Sequence, residues 1–253
     1  MATASKASFK TLLDGYIRTE PANGSDLSQV AGRLIKGFKK AHEQSRELQK
    51  TTADDFNLLD TLQIAGEEIR HSMMLAWLLD REETHAQDNL GFRLFLKNLK
   101  HVGLNGEYAD RRYWVLREKR GSESRIDVEV AARGEFIIHI ENKIYSDEIY
   151  SDDGNHQTKR EWSDLQHRAR ELGVNNRANV HGFYLTLDGH PAIYPEFRAI
   201  SWRQIADVLD EFSARAKARP VSMFATHYAD VLRRMTFEGT QIYEDENETQ
   251  PES

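Results

Sequence analysis

Five polar residues close together in the chain are best suited to chemistry: Asp127, Glu129, His139, Glu141 and Lys143. The stretch from Arg125 to Lys143 reads R-I-D-V-E-V-A-A-R-G-E-F-I-I-H-I-E-N-K. Two runs of alternating apolar residues, Ile126 to Ala132 and Glu135 to Glu141, flank Arg133-Gly134. Strands joined by a two-residue loop bearing glycine make a β-hairpin. Residues two apart on a strand share a face. Asp127 and Glu129 therefore share one face of the first strand, and His139, Glu141 and Lys143 one face of the second. Val128, Val130, Ile138 and Ile140 point the other way, toward a core.

Charged groups on the inner part of a sheet need partners, because desolvating them is costly. A divalent cation is one such partner. Carboxylate oxygens are hard donors suited to Mg²⁺ or Mn²⁺, and a lysine beside the ion can hold or deprotonate a water. A surface hairpin laced with cross-strand ion pairs would also bring Asp127, Glu129 and Lys143 together.

Asp127, thirteen intervening residues, then Glu141-Asn142-Lys143 resembles the active-site motif of the PD-(D/E)XK nuclease superfamily. Ile140-Glu141-Asn142-Lys143-Ile144 is similar to the I-E-N-K-I box of a bacterial and phage-associated branch. Upstream, Glu68-Ile69-Arg70-His71-Ser72, followed by Leu75-Ala76-Trp77-Leu78-Leu79-Asp80, resembles the first conserved helix of that branch. The resemblance implies an α/β, restriction-endonuclease-like αβββαβ core over roughly residues 54–190. It implies metal-assisted hydrolysis of phosphodiester bonds in nucleic acid, DNA favoured over RNA, in phage defence or DNA processing. Asp127 and Glu141 would hold Mg²⁺ (or Mn²⁺), with the backbone carbonyl of Asn142. Lys143 would orient or activate the attacking water, and Glu68 would support the metal site. An acid at a helix N-terminus also interacts favourably with the helix dipole, and Glu67 fits that role as well as Glu68 does. Glu129 and His139 are outer candidates, though His139 suits a hydrogen bond within the sheet equally.

The likeness weakens on the helix after Lys143. Many relatives carry a glutamine–leucine pair and a tyrosine there. Aligned on Leu165, this chain has Asp164 and Arg168 at those places, and Gln157 and Gln166 are out of register. That departure favours the alternative reading, a catalytically inactive module that binds nucleic acid or a partner protein. The complete D…E-x-K set argues against it.

Composition sets outer limits. Charged residues make up 30% of the 253 and hydrophobic ones 39%, enough for one α/β core with a heavily solvated surface. No apolar run reaches membrane-spanning length and the start has no secretory pattern. The chain has no cysteine, which excludes thiolate chemistry and suits the cytoplasm. Net charge is −7, but six acids lie within residues 236–253, and residues 1–235 carry only −1. A nearly neutral body with basic clusters can bind phosphate, and a homodimer is compatible with it. No nucleotide-binding glycine motif occurs.

Hydrophobic periodicity places the remaining elements. Helices are expected over residues 8–18 and 26–50, from Thr52 to about Gln63, from Glu67 to Asp80, and over 90–102. Tyr113 to Lys119 should be the first strand of the sheet. A helix from Lys159 to Leu172 carries the most basic surface, so Lys159, Arg160, Arg168 and Arg170 are the expected nucleic-acid contacts. Val180 to Leu187 is a strand, and Ala199-Ile200 a short one. Ser201 and Gln204 read as a capping box opening a helix to about Ala216. Pro220 stops it, and a last helix spans Ser222 to Met235. The division expected is 1–53 helical extension, 54–235 nuclease-like domain, and 236–253 acidic tail, too polar to fold.

Overall fold

Alternation alone would leave one face of the 125–143 hairpin wet, yet both faces are covered. In the computed structural model, which describes residues 24–121, 124–146, 148 and 154–248, strands β1 (Trp114–Arg120), β2 (Arg125–Ala132) and β3 (Phe136–Asn142) form an antiparallel meander. β4 (Val180–Thr186) and β5 (Phe197–Ser201) continue it in parallel, giving one mixed sheet in the order β1-β2-β3-β4-β5. The β2–β3 connection is one residue longer than expected. Ala132 stands opposite Phe136, so the loop is Arg133 to Glu135. Gly134 sits at φ +75°, the left-handed position that a three-residue hairpin loop requires.

The helices are α1 (Gly24–Thr52), α2 (Leu58–Thr61), α3 (Glu68–Leu79), α4 (Leu90–Asn98), α5 (Gln157–Glu171), α6 (Trp202–Arg215) and α7 (Arg219–Glu248). Val128, Val130, Ile138 and Ile140 pack on one face of the sheet with Leu75, Leu78, Phe92, Leu209 and Leu232 from α3, α4, α6 and α7. Trp162, Leu165 and Ala169 of α5 cover the other face, against Ala131, Ile137, Tyr184 and Phe197. A parallel step between neighbouring strands needs a long crossover, and α5 supplies it between β3 and β4. It therefore roofs the polar face of the hairpin. The order α3, three strands, α5, β4 is the αβββαβ core expected, in a mixed sheet flanked by helices.

Several elements differ from the sequence reading. The helix expected over residues 8–18 lies outside the described residues. The segment from Thr52 to Gln63 is mostly irregular, with only the short α2; Phe56, Leu58 and Leu62 stay exposed, so no buried face holds a longer helix together. Pro220 lies in the first turn of α7, where a missing N–H costs nothing, instead of separating two helices. α7 then continues through Glu248, past Met235, so residues 236–248 are helical where an unfolded tail was expected. The Ser201–Gln204 capping box is present in full. The chain divides into two compact units, Met1–Asn57 and Leu58–Ser253. Within the first, α1 carries the exposed apolar residues Ile35, Phe38 and Leu48. Among the described residues no helix is long and apolar enough to cross a membrane.

Met235 is the last buried apolar residue described on α7, and Phe237 is 66% exposed. Deleting residues 240–253, which carry five of the six clustered acids, is expected to shift the melting temperature by less than about 2 °C. A larger fall in a calorimetric scan would mean that this end of the helix packs.

Candidate active site

The register that sets Val128 against Ile140 and Glu129 against His139 puts Asp127 opposite Glu141, one step further along. The Asn142 backbone N–H donates to Asp127 Oδ2 at 2.9 Å, which fixes that carboxylate at the mouth of the two strands. Lys143 Nζ stands 3.2 Å from Glu141 Oε1. The Lys143 backbone N–H donates to the Leu185 carbonyl at 2.8 Å, so β4 holds the chain as it leaves β3. Asp127, Glu141 and Lys143 thus come together as the strand pattern predicts.

α3 positions this group from the opposite layer. Glu68 Oε1 accepts from the Ile144 N–H at 2.8 Å, the Tyr145 N–H at 3.4 Å and the Ser146 hydroxyl at 2.8 Å. It clamps the loop directly after Lys143. Glu67 instead pairs with exposed Arg70, so of the two acids Glu68 reaches the site. Asn142 is a buried tie. Its side-chain amide donates to the Glu68 carbonyl at 3.0 Å and the Ser72 hydroxyl at 3.1 Å, and its oxygen accepts from the Trp202 indole at 2.9 Å. Neighbouring His71 is fully buried. Its Nε2–H donates to the Ala65 carbonyl, and its Nδ1 accepts from the Tyr228 hydroxyl, each at 2.9 Å. It is a packed, hydrogen-bonded histidine.

α5 brings two more residues to the site: Gln157, named from sequence only as an out-of-register substitute, and Glu161, which the sequence reading missed. Gln157, its first residue, donates from Nε2 to Glu141 Oε1 at 2.5 Å and to Glu161 Oε1 at 2.8 Å. Glu161, one turn on, is fully buried. The alignment on Leu165 hid them by placing Asp164 and Arg168 in the helix positions of interest. Those two do other work. Asp164 Oδ2 accepts from both the N–H and the hydroxyl of Ser124, each at 2.7 Å, and so secures the entry to β2. Arg168 turns inward to Glu129 at 3.4 Å and also meets Glu171 at 3.0 Å. The signal that could have found the pair is the i, i+4 spacing of Gln157 and Glu161 on one helix stripe.

Of the expected nucleic-acid contacts, Lys159 and Arg170 are exposed and Arg160 is half-buried. Lys159 donates to the Gly154 carbonyl, Arg160 to that of Asn155, and Arg170 to that of Gln166. Arg168 is not available in the same way, since Glu129 and Glu171 hold its guanidinium. Glu129 is fully buried and lies 3.1 Å from His139 Nε2. His139 and Arg168 together hold the Glu129 carboxyl below the ordinary range in spite of burial. This cluster joins α5 to the sheet, apart from Asp127 and Glu141.

One lysine meets more acid than it can neutralise. Burial, and then Asp127, push the Glu141 carboxyl up to about 8, although Lys143 and Gln157 pull against this. Burial raises Asp127 as well, in spite of the Asn142 N–H. Burial and then Glu141 raise Glu161 well above the carboxylate range. Burial would lower Lys143, but Glu141, Glu68 and Asp127 outweigh it and the ammonium is held above its ordinary value. The two halves of the Lys143–Glu141 pair thus point in opposite directions. Both follow from one excess of negative charge: the lysine gains from several acids, while each acid meets the others. Glu68, half-buried and well supplied with donors, ends below its ordinary value although burial alone would raise it.

The donor set suits a hard divalent ion. Asp127 and Glu141 offer carboxylate oxygens from adjacent strands, and Glu141 Oε2 is buried without a hydrogen-bond partner. Among the described residues no three histidine, aspartate or glutamate side chains form a ready metal cage. Mg²⁺ is commonly bound by one or two carboxylates with several waters retained, so two acids suffice.

Comparison with known families agrees with this geometry. The chain belongs to the PD-(D/E)XK nuclease superfamily, whose family model matches residues 56–229. No curated protein and no solved structure matches it.

The raised Glu141 carboxyl has a consequence for the metal-free protein. A folded value near 8 against an ordinary 4.5 means that the stability it contributes is fully present below pH 4.5 and lost as pH rises through about 8. Glu141→Gln removes that loss. In EDTA, the variant is expected to equal the parent near pH 4.5 and exceed it by roughly 2–4 kcal/mol at pH 9. Urea melts at the two pH values measure this. An advantage that does not grow with pH would mean that Glu141 is not held protonated.

Proposed function

We propose that this superfamily member is a divalent-metal-dependent nuclease that hydrolyses phosphodiester bonds in DNA. Asp127 and Glu141 serve as the carboxylate ligands of Mg²⁺ or Mn²⁺, the Asn142 carbonyl completes the protein's share, and Lys143 holds the attacking water. The observation that carries this reading is the meeting of Lys143 Nζ and Glu141 Oε1 at 3.2 Å, beside an Asp127 carboxylate tied to the next backbone N–H.

When bound, the ion supplies Lewis-acid stabilisation of the charge that builds on the phosphate and the leaving oxygen. The protein's groups do the rest. Asp127 is held in place before any ion arrives, which lowers the cost of organising the site. Glu68 fixes the loop after Lys143 and so fixes the direction of the lysine. Lys143, only 12% exposed at its side chain, remains an ammonium and orients a water and a phosphate oxygen by donating hydrogen bonds. Lys159, Arg160 and Arg170 face the backbone of the substrate. The likeness of the I-E-N-K-I box to a phage-associated branch supports a role in phage defence or DNA processing. A chain without cysteine fits a reducing cytoplasm.

A digestion panel of single- and double-stranded DNA and RNA, with Mg²⁺ or EDTA, is the direct test. Cleavage is expected with Mg²⁺ and DNA and absent with EDTA. Asp127→Ala should lose the ion that Asp127 and Glu141 share, and cleavage with it. Lys143→Ala should keep the metal, measured by calorimetry, and slow single-turnover cleavage by about 10²–10⁴-fold, the range of a positioned acid–base group. If no nucleic acid is cut with any divalent ion, the nuclease reading gives way to that of a binding module.

A further inference from the structure

Five buried side-chain atoms among the described residues have no hydrogen-bond partner, and three belong to one cluster: Glu141 Oε2, Gln157 Oε1 and Glu161 Oε2. Orphaned polar atoms are rare in folded proteins and costly. Two of these belong to carboxylates that are 3% and 0% exposed, where an unmet oxygen is most expensive. Their other oxygens are joined through one atom, since Gln157 Nε2 donates to Oε1 of both. The single amide nitrogen stands between two acids as a small cation would, but it satisfies only one oxygen of each. Lys143 meets Glu141 at Oε1 as well, and the Oε2 atoms of both acids remain without a partner.

We propose that Glu161 is a metal ligand, and that Glu141 Oε2 and Glu161 Oε2 hold a second divalent cation beside the one bound by Asp127 and Glu141. Gln157 orients both carboxylates by gripping their Oε1 atoms and leaves the Oε2 atoms for the ion, with waters filling the remaining positions. Oxygen donors of this kind select hard ions such as Mg²⁺ and Mn²⁺. Glu141 becomes a bridging carboxylate, which accounts for its place between Asp127 and Glu161. The proposal rests on the metal-dependent reading of Asp127 and Glu141 and adds a ligand from a different element, α5.

Mn²⁺ is the probe, because its binding is read without any substrate. Calorimetric titration of the metal-free protein should give two ions per chain. Electron paramagnetic resonance of the loaded protein should show the broadening of a coupled Mn²⁺ pair. Glu161→Gln, which keeps the size of the side chain, should bind one ion and lose the pair signal while its circular-dichroism melt remains cooperative. Asp127→Ala should lose the other ion. Two ions retained by Glu161→Gln would overturn the role of Glu161 and leave the nuclease reading intact. A parent protein that binds one ion overturns the second position even if Glu161→Gln fails to fold. A parent that binds no Mn²⁺ at all overturns the metal-dependent reading itself.

Discussion

The structure depends on how a group of acids is kept under a helix with a single lysine among them. Asp127 and Glu141 lie at the end of the β2–β3 pair, Glu161 comes down from α5, and among the described residues Lys143 is the cation that pairs with Glu141. Removing one partner of a buried ion pair commonly costs several kcal/mol, because the other charge is left alone. Here the imbalance is present in the folded state itself. The acids respond by holding protons, and the lysine by holding its own more tightly. Neither response would follow from the pair in isolation. Burial and the neighbouring acids together push Glu141 toward neutrality, and the same acids hold Lys143 in its charged form.

Such an arrangement stays folded because the surrounding scaffold is over-determined. Asn142 joins three elements through its side chain: β3 that carries it, α3 through the Glu68 carbonyl and Ser72, and α6 through Trp202. Glu68 then fixes the strand exit with three bonds to one oxygen. Glu129, His139 and Arg168 form a second polar cluster within the same face of the sheet, in which both cationic partners reach the Glu129 carboxylate. The contrast is instructive. Glu129 has an arginine and a histidine and settles below its ordinary value. Glu141, two residues from His139 on the neighbouring strand, shares its lysine with other acids and is pushed up to about 8. One face of one hairpin thus holds a carboxylate met by an arginine and a histidine and another crowded by acids, distinguished by the partners that α5 supplies.

Much of this was legible in the sequence. Period-two alternation placed Asp127, Glu141 and Lys143 on one face because strand geometry leaves no other choice. The apolar stripe of residues 68–79 marked α3 as buried, which brought Glu68 inward. What alternation could not show was the roof. Whether the polar face of a hairpin meets water or a helix depends on the β3-to-β4 crossover, and so on contacts far apart in the chain. Gln157 and Glu161 lie on that crossover, and a register anchored on Leu165 pointed to Asp164 and Arg168 instead. Arg168 looked like a phosphate contact because a charge on a helix says nothing about which face it occupies until the helix is docked. The end of α7 escaped for a related reason: composition argued against a core there, but a helix already anchored by Tyr228, Val231 and Leu232 can propagate into polar sequence.

The strain in the site bears on how a cation would be bound. A site whose acids were individually comfortable would lose their hydrogen bonds and protons for each ion it took. Here the order is reversed. Burial first and repulsion second raise the Glu141 and Glu161 carboxyls, and an ion that met the unmet oxygens would replace their protons while cancelling the repulsion. Binding then releases protons and grows stronger as pH rises. The favourable energy comes from two sources, the new oxygen–metal contacts and the relief of a cost carried by the metal-free fold. By linkage, that same relief appears as stabilisation of the folded chain in proportion to ion concentration. Stability and function therefore oppose one another at these positions. Neutral residues would give a firmer metal-free protein, and the charges that weaken it are the ones that make the cleft fit for an ion.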